Sequence, residues 1–264
     1  MSLFCIDIGN TNVVMGLYQG KELISHWRIA TDHQKMADEY AMLLLDLFER
    51  AAQEPQAVEG IIMASVVPPL TGTFEKLAQR YFGQQALVVD AQVHTGVRIC
   101  LDNPAEVGAD RVVNAVAAYH RYGGPACVVD LGTATTFDLI SAEGDYLGGA
   151  IAPGLGIAAE ALFQRTARLP RIELVRPPSA IGKNTVQAMQ SGLLFGYVGL
   201  VEGLVARYRA ELGPALKVIA TGGLAPLIAA ETEVVDALDP WLTLEGLRLI
   251  WEMNRGKRGS DKGG

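Results

Sequence analysis

Aspartate followed two residues later by glycine occurs twice in this chain, in the same local setting. Residues 4–29 read FCIDIGNTNVVMGLYQGKELISHWRI and residues 126–151 read ACVVDLGTATTFDLISAEGDYLGGAI, so that Asp7 and Gly9 are echoed by Asp130 and Gly132. Each copy runs from an apolar strand pattern through Asp-x-Gly and a cluster of hydroxyl or amide side chains into a second apolar strand. Glycine lets a backbone turn tightly and approach a polyphosphate, while Asn10, Thr11, Asn12 and main-chain N–H groups can donate to phosphate oxygens. A carboxylate at a strand end, as Asp7 is, suits Mg²⁺ held directly or through water. An ordinary hairpin turn also favours Asn and Gly. The second copy favours the phosphate reading, in which two half-similar domains hold a nucleotide in a cleft.

The loop differs from the familiar nucleotide fingerprints. GxxxxGK[ST] is absent, and no lysine or arginine stands between Ile6 and Tyr18, so metal ions, backbone dipoles or distant residues must offset the charge of a bound triphosphate. Asp130 would aggravate that charge unless it binds a cation of its own. A third candidate is Gly108-Ala109-Asp110-Arg111 at a helix start. There Asp110 could serve as a general base and Arg111 could fork onto a carboxylate or phosphate. A helix N-cap and a surface ion pair would account for the same residues.

The elements around these residues alternate in type. Helical periodicity covers 38–50 and 70–81, a buried strand 60–67 stops at Pro68-Pro69, and a short strand covers 86–90. Apolar spacing predicts a helix over 112–119. Gly123-Gly124-Pro125 is the expected domain boundary, giving domains 1–122 and 123–254. The second half holds a glycine-rich loop at 148–156, a long helix at about 185–211, a strand 217–220 leading into Thr221-Gly222-Gly223, and a final helix near 244–251. Residues 255–264 are polar, rich in glycine and basic residues, and expected to be disordered. Strands separated by helices imply an α/β fold of mixed sheets flanked by helices.

Composition narrows the class. A hydrophobic fraction of 50% over 264 residues supplies real cores, and a formal net charge of −7 argues against extended nucleic-acid binding. No long uncharged apolar run or signal pattern points to a membrane, so a cytoplasmic enzyme is expected. Cys5, Cys100 and Cys127 form no ligand cluster and are expected to be reduced core residues. His26, His33, His94 and His120 have no metal-ligand spacing.

DIGNTN, NPAEVGADR, DLGTATTFD, GGAIAPG and IGKNTVQAMQSG occur in that order, and together they resemble the type III pantothenate kinases from Cys5 to about Trp251. The resemblance implies two ribonuclease-H-like domains of the actin-like ATPase superfamily, related by duplication. It implies ATP-dependent phosphorylation of pantothenate, the first step of coenzyme A biosynthesis, by a homodimer that needs Mg²⁺ with ATP and a monovalent cation, K⁺ or NH₄⁺. Carried over, the ATP-binding stretch is Asp7, Ile8, Gly9, Asn10, Thr11, Asn12, Val13 and Val14, with Thr133 as a further contact. The pantothenate contacts are Gly108, Ala109, Asp110, Arg111 and Thr185, Asp110 is the proton acceptor, and Asp130 is the monovalent-cation ligand. Leu101 stands where many members carry a substrate-contacting tyrosine. Two other readings stay open at this level: a superfamily kinase for another small hydroxy acid, and a related transcriptional accessory factor. Gly192, Gly196, Gly199 and Gly203 recur at helical spacing, as packing within a domain or an isologous dimer would require.

Overall fold

The computed structural model describes residues 1–258. Its contacts form two compact units, one of Met1–Val97, Asn103–Ala117 and the chain from Thr243, the other of Arg98–Asp102 and Ala118–Leu242. The first unit contains β1 (Ser2–Ile8), β2 (Asn12–Gln19), β3 (Glu22–Ala30), α1 (Ala37–Arg50), β4 (Gly60–Ser65), α2 (Pro68–Phe82), β5 (Leu87–Val88) and most of α3 (Ala109–Tyr122). Its sheet order is β3-β2-β1-β4-β5, with β1 antiparallel to β2 and parallel to β4. The second unit contains β6 (Ala126–Leu131), β7 (Ala134–Ile140), β8 (Tyr146–Pro153), α4 (Leu155–Arg165), α5 (Thr185–Leu212), β9 (Lys217–Thr221), α6 (Ala225–Ala229) and β10 (Ala237–Leu238). Reading from β8, its order is β8-β7-β6-β9-β10, the same plan strand for strand. The chain then returns to the first unit in α7 (Leu242–Arg258).

The duplication extends to register. Asp7 lies opposite Val14 on β2 and Ala64 on β4, and Asp130 opposite Thr136 on β7 and Thr221 on β9. Both aspartates are thus one residue from the end of a central strand, where a parallel neighbour also ends.

Period-two alternation decides what each strand buries. Phe4, Ile6 and Ile8 face the core formed with Tyr40, Leu44 and Phe48 of α1 and Phe74 and Leu77 of α2. Phe4 meets Phe48 edge-on at 5.2 Å and stacks with Phe82 at 5.6 Å, a geometry worth about 0.5–1.5 kcal/mol per pair beyond buried area. In the second unit Cys127, Val129 and Leu131 pack with Leu193, Leu194, Val198, Val201 and Val205 of α5. By length and composition α5 could cross a bilayer, with a mean hydropathy of 1.3 in its most apolar stretch; those five side chains lie in the unit's core.

α7 packs on the first sheet through glycine. A methyl at Gly60 would lie 2.2 Å from the Trp251 ring, and one at Gly16 would lie 2.7 Å from Cδ1 of Leu244. Glycine in a strand here marks close approach by a large side chain. Trp251→Ala is accordingly expected to lower the unfolding free energy by about 3–5 kcal/mol in urea titration; a loss under about 1 kcal/mol would contradict this packing.

Several boundaries differ from the sequence expectation. The contacts do not follow one cut after residue 122, because α7 clusters with the first unit whereas Arg98–Asp102 and residues 118–122 cluster with the second. Pro68 and Pro69 open α2 rather than precede it, since proline is tolerated in a helix's first turn. Residues 148–153 are strand, not loop: a methyl at Gly149 would lie 1.6 Å from the Phe137 carbonyl oxygen, so its missing side chain lets the strands close. α4, which follows, had no sequence expectation. Cys5 and Cys127 are buried as expected, but Cys100 is exposed. Residues 255–258 of the expected disordered tail lie in α7, and the remainder, 259–264, falls outside the described residues.

Candidate active site

The first loop is a four-residue turn. Ile8 pairs with Val13, the Gly9 N–H donates to the Asn12 carbonyl at 3.0 Å, and the Thr31 N–H donates to the Thr11 carbonyl at 2.9 Å. The Thr31 hydroxyl donates to the Gly9 carbonyl at 2.6 Å. Asn10 and Thr11 are exposed at the tip, whereas Ile8 and Val13 are buried in the sheet's core and Val14 is half-buried. Their side chains hold the strands; the turn's polar groups and backbone remain to meet a ligand.

The second loop is one residue shorter. Leu131 pairs with Thr135, the Gly132 N–H donates to the Ala134 carbonyl at 3.1 Å, and the Gly154 N–H donates to the Thr133 carbonyl at 3.1 Å. Thr133 is exposed at the tip. Glycines crowd Asp130: methyls at Gly132 and Gly222 would lie 3.3 and 2.5 Å from its Oδ1. Gly222 has φ +91°, a backbone that strongly favours glycine. The Thr221-Gly222 turn after β9 therefore makes room for the Asp130 carboxylate.

Behind the hairpin, Asp138 is fully buried. Its carboxylate accepts from the Tyr146 hydroxyl at 2.7 Å and the Thr136 hydroxyl at 3.0 Å, the pairing a buried charge requires. Sequence reading placed no role on Asp138. Its position at the end of DLGTATTFD was the available signal.

Asp110 occupies the second position of α3. Gly108 supplies the carbonyl that accepts from the Arg111 and Val112 N–H groups at 3.1 and 3.3 Å, so Gly108, not Asp110, caps this helix. The Asp110 carboxylate folds back, accepting from the Arg111 N–H at 2.8 Å, and a methyl at Gly108 would lie 2.5 Å from its Oδ1. Burial pushes the Asp110 carboxyl above its ordinary value, opposed by the Arg111 N–H and guanidinium. A carboxylate made more basic by desolvation is suited to accepting a proton.

Within the first unit Val66 lies near both this helix start and the strand end before the first loop. The Val66 N–H donates to the Ile8 carbonyl at 3.1 Å, and Cγ1 of Val66 lies 3.7 Å from where a Gly108 methyl would be. The first unit therefore carries Asp7, its loop and residues 108–111 together.

Asp130, Thr133 and Thr185 belong to the second unit. Thr185 opens α5, whose N-cap Asn184 accepts from the Gln187 N–H at 2.9 Å while Gln187 accepts from the Lys183 N–H at 3.0 Å. This reciprocal capping fixes the exposed Thr185 at the helix start. Leu101, also of the second unit, packs over Gly148: its Cδ2 lies 3.0 Å from where a methyl would stand.

A family model described as type III pantothenate kinase matches residues 3–207. The type III pantothenate kinase of Roseiflexus sp. (strain RS-1) is 57% identical over 253 residues, which cover 96% of this chain and 99% of that protein. Among solved structures, a chain described as a Baf family transcriptional activator from Campylobacter jejuni matches with a TM-score of 0.62 at 20% identity, over 96% of this chain and 99% of that one. The activator of 2-hydroxyisocaproyl-CoA dehydratase from Clostridium difficile, solved with bound ADPNP, matches with a TM-score of 0.57 at 10% identity, over 99% of this chain and 98% of that one. At those identities the structural likenesses carry the fold alone, the duplicated actin-like ATPase fold. By near-complete alignment with its curated relatives and the family model over its first three-quarters, the chain belongs to the type III pantothenate kinase family.

Proposed function

We propose that this chain transfers the γ-phosphoryl group of ATP to the primary hydroxyl of pantothenate, giving ADP and 4′-phosphopantothenate on the way to coenzyme A. Family membership supports the substrate pair. The observation that carries the chemistry is the desolvated Asp110 carboxylate at the start of α3, which belongs to the same compact unit as Asp7 and its loop. Residues 7–14 and Thr133 bind ATP. Asp110 takes the proton from the attacking hydroxyl, Arg111 pairs with the pantothenate carboxylate, and Gly108, Ala109 and Thr185 complete the substrate contacts.

Cations supply what the lysine-free loop lacks. Among the described residues no group of three or more His, Cys, Asp or Glu side chains could form a metal cage. Single carboxylates fit Mg²⁺ that arrives on the nucleotide and keeps several waters. Asp7 would hold that ion, directly or through water, and Asp130 a potassium or ammonium ion. The working form is a cytoplasmic homodimer; methyls at Gly192, Gly196 and Gly199 of α5 would meet nothing within 4 Å, which leaves an open surface on that helix for isologous pairing.

The test is acceptor-dependent ADP release. With ATP, Mg²⁺ and potassium present, pantothenate should drive ADP formation and other small hydroxy acids should not. Equal release with pantothenate and with an unrelated hydroxy acid would overturn the assignment.

A further inference from the structure

We infer that Thr31, at the exit of β3, is a positioning residue for the first loop: its backbone and hydroxyl draw two loop carbonyls away from an anionic ligand. The inference rests on the reading that this loop binds ATP phosphates. Carbonyl oxygens carry partial negative charge and would repel phosphate, so a phosphate loop works only if its N–H edge is presented and its carbonyls are engaged elsewhere. Here the Thr11 carbonyl accepts from the Thr31 N–H at 2.9 Å and the Gly9 carbonyl from the Thr31 hydroxyl at 2.6 Å.

Thr31 is itself anchored in the core. The Tyr40 hydroxyl accepts from the Asp32 N–H at 2.8 Å and donates to the Asp32 carbonyl at 2.9 Å, clamping the next residue from both sides. Tyr40 is fully buried, its ring 4.9 Å from that of Phe74. A continuous path thus runs from core through Tyr40, Asp32 and Thr31 to the loop carbonyls.

The duplicated half shows that the hydroxyl is a separate device. Gly154 follows β8 as Thr31 follows β3, and its N–H makes the matching bond to the Thr133 carbonyl at 3.1 Å. No side chain fits there, since a methyl would lie 2.1 Å from the Thr133 carbonyl oxygen and 2.6 Å from that of Gly132. Both loops keep the main-chain clasp. Only the first adds a hydroxyl clamp.

The test uses Thr31→Val, which keeps the shape and removes the hydroxyl, Thr31→Ala as a second hydroxyl-free variant should valine misfold, and Thr31→Ser, which restores the hydroxyl. Steady-state kinetics varying each substrate, thermal denaturation, and Asp7→Ala as a control complete it. Thr31→Val should raise the KM for ATP about five- to tenfold, the loss of one well-made hydrogen bond. The KM for pantothenate should stay within about twofold, and Thr31→Ser should return both to wild type. An unchanged ATP KM in hydroxyl-free variants, with Asp7→Ala inactive, would overturn the role of Thr31 and leave the loop reading standing. Parallel rises in both KM values, or failure of serine to rescue, would equally overturn it by marking a general structural role. Full activity in Asp7→Ala would overturn the loop reading itself.

Discussion

Asp110→Asn is expected to bind ATP and pantothenate nearly as the parent chain does while turning over at least about a hundredfold more slowly. The substitution keeps the shape that sits over Gly108 and removes only the capacity to take a proton. Two pH signatures accompany it. The parent's kcat/KM should fall as pH drops through the raised pKa of Asp110, and that acid limb should be missing from the asparagine variant's residual activity. The stability sign runs the other way from an ion-paired aspartate. Burial raises the folded pKa above the unfolded value, so the group's favourable contribution is full below the unfolded pKa and is lost as pH rises through the folded one. Asp110→Asn should therefore be at least as stable as the parent at neutral pH. Turnover within a few-fold of the parent, or a marked loss of stability that accounts for the lost activity, would remove Asp110 as the base.

Potassium should be the other large effect. A carboxylate and a phosphate oxygen about 4 Å apart repel by about 4 kcal/mol at an effective dielectric near 20, so on the proposed reading Asp130 would need an intervening cation. Gly132 and Gly222 leave the space that its carboxylate occupies, which a methyl at Gly222 would enter. With ample Mg²⁺, activity should collapse in sodium-only or Tris-only buffer and return with potassium or ammonium. Asp130→Ala should be low under every condition. Equal parent rates with and without potassium, after ammonium is removed, would leave Asp130 as a turn residue copied from the first half.

Much of this was legible in the chain because its signals are local. The two Asp-x-Gly hairpins give matching registers at Asp7 and Asp130 because strand alternation and turn chemistry are short-range. The start of α5 follows from Asn184 and Gln187 for the same reason. What stayed hidden depends on distant partners. Gly16 and Gly60 announce a close approach, but nothing nearby in sequence names Leu244 and Trp251 as the groups that approach, so the sequence alone groups α7 with 123–254 while its contacts cluster with the first unit. Gly148 and Gly149 read as loop because glycine is ambiguous between a turn and a strand under a close backbone. Thr31 carries no motif of its own. Its signal is the alignment of the two halves, which sets it against Gly154, and that comparison needs the ends of β3 and β8 to be known.

The most direct test of the central claim is the identity and amount of the product. The purified chain, incubated with ATP, Mg²⁺, potassium and pantothenate, should yield one 4′-phosphopantothenate for each ADP, read by phosphorus NMR and mass spectrometry. ADP accumulating with inorganic phosphate in place of phosphopantothenate would contradict it.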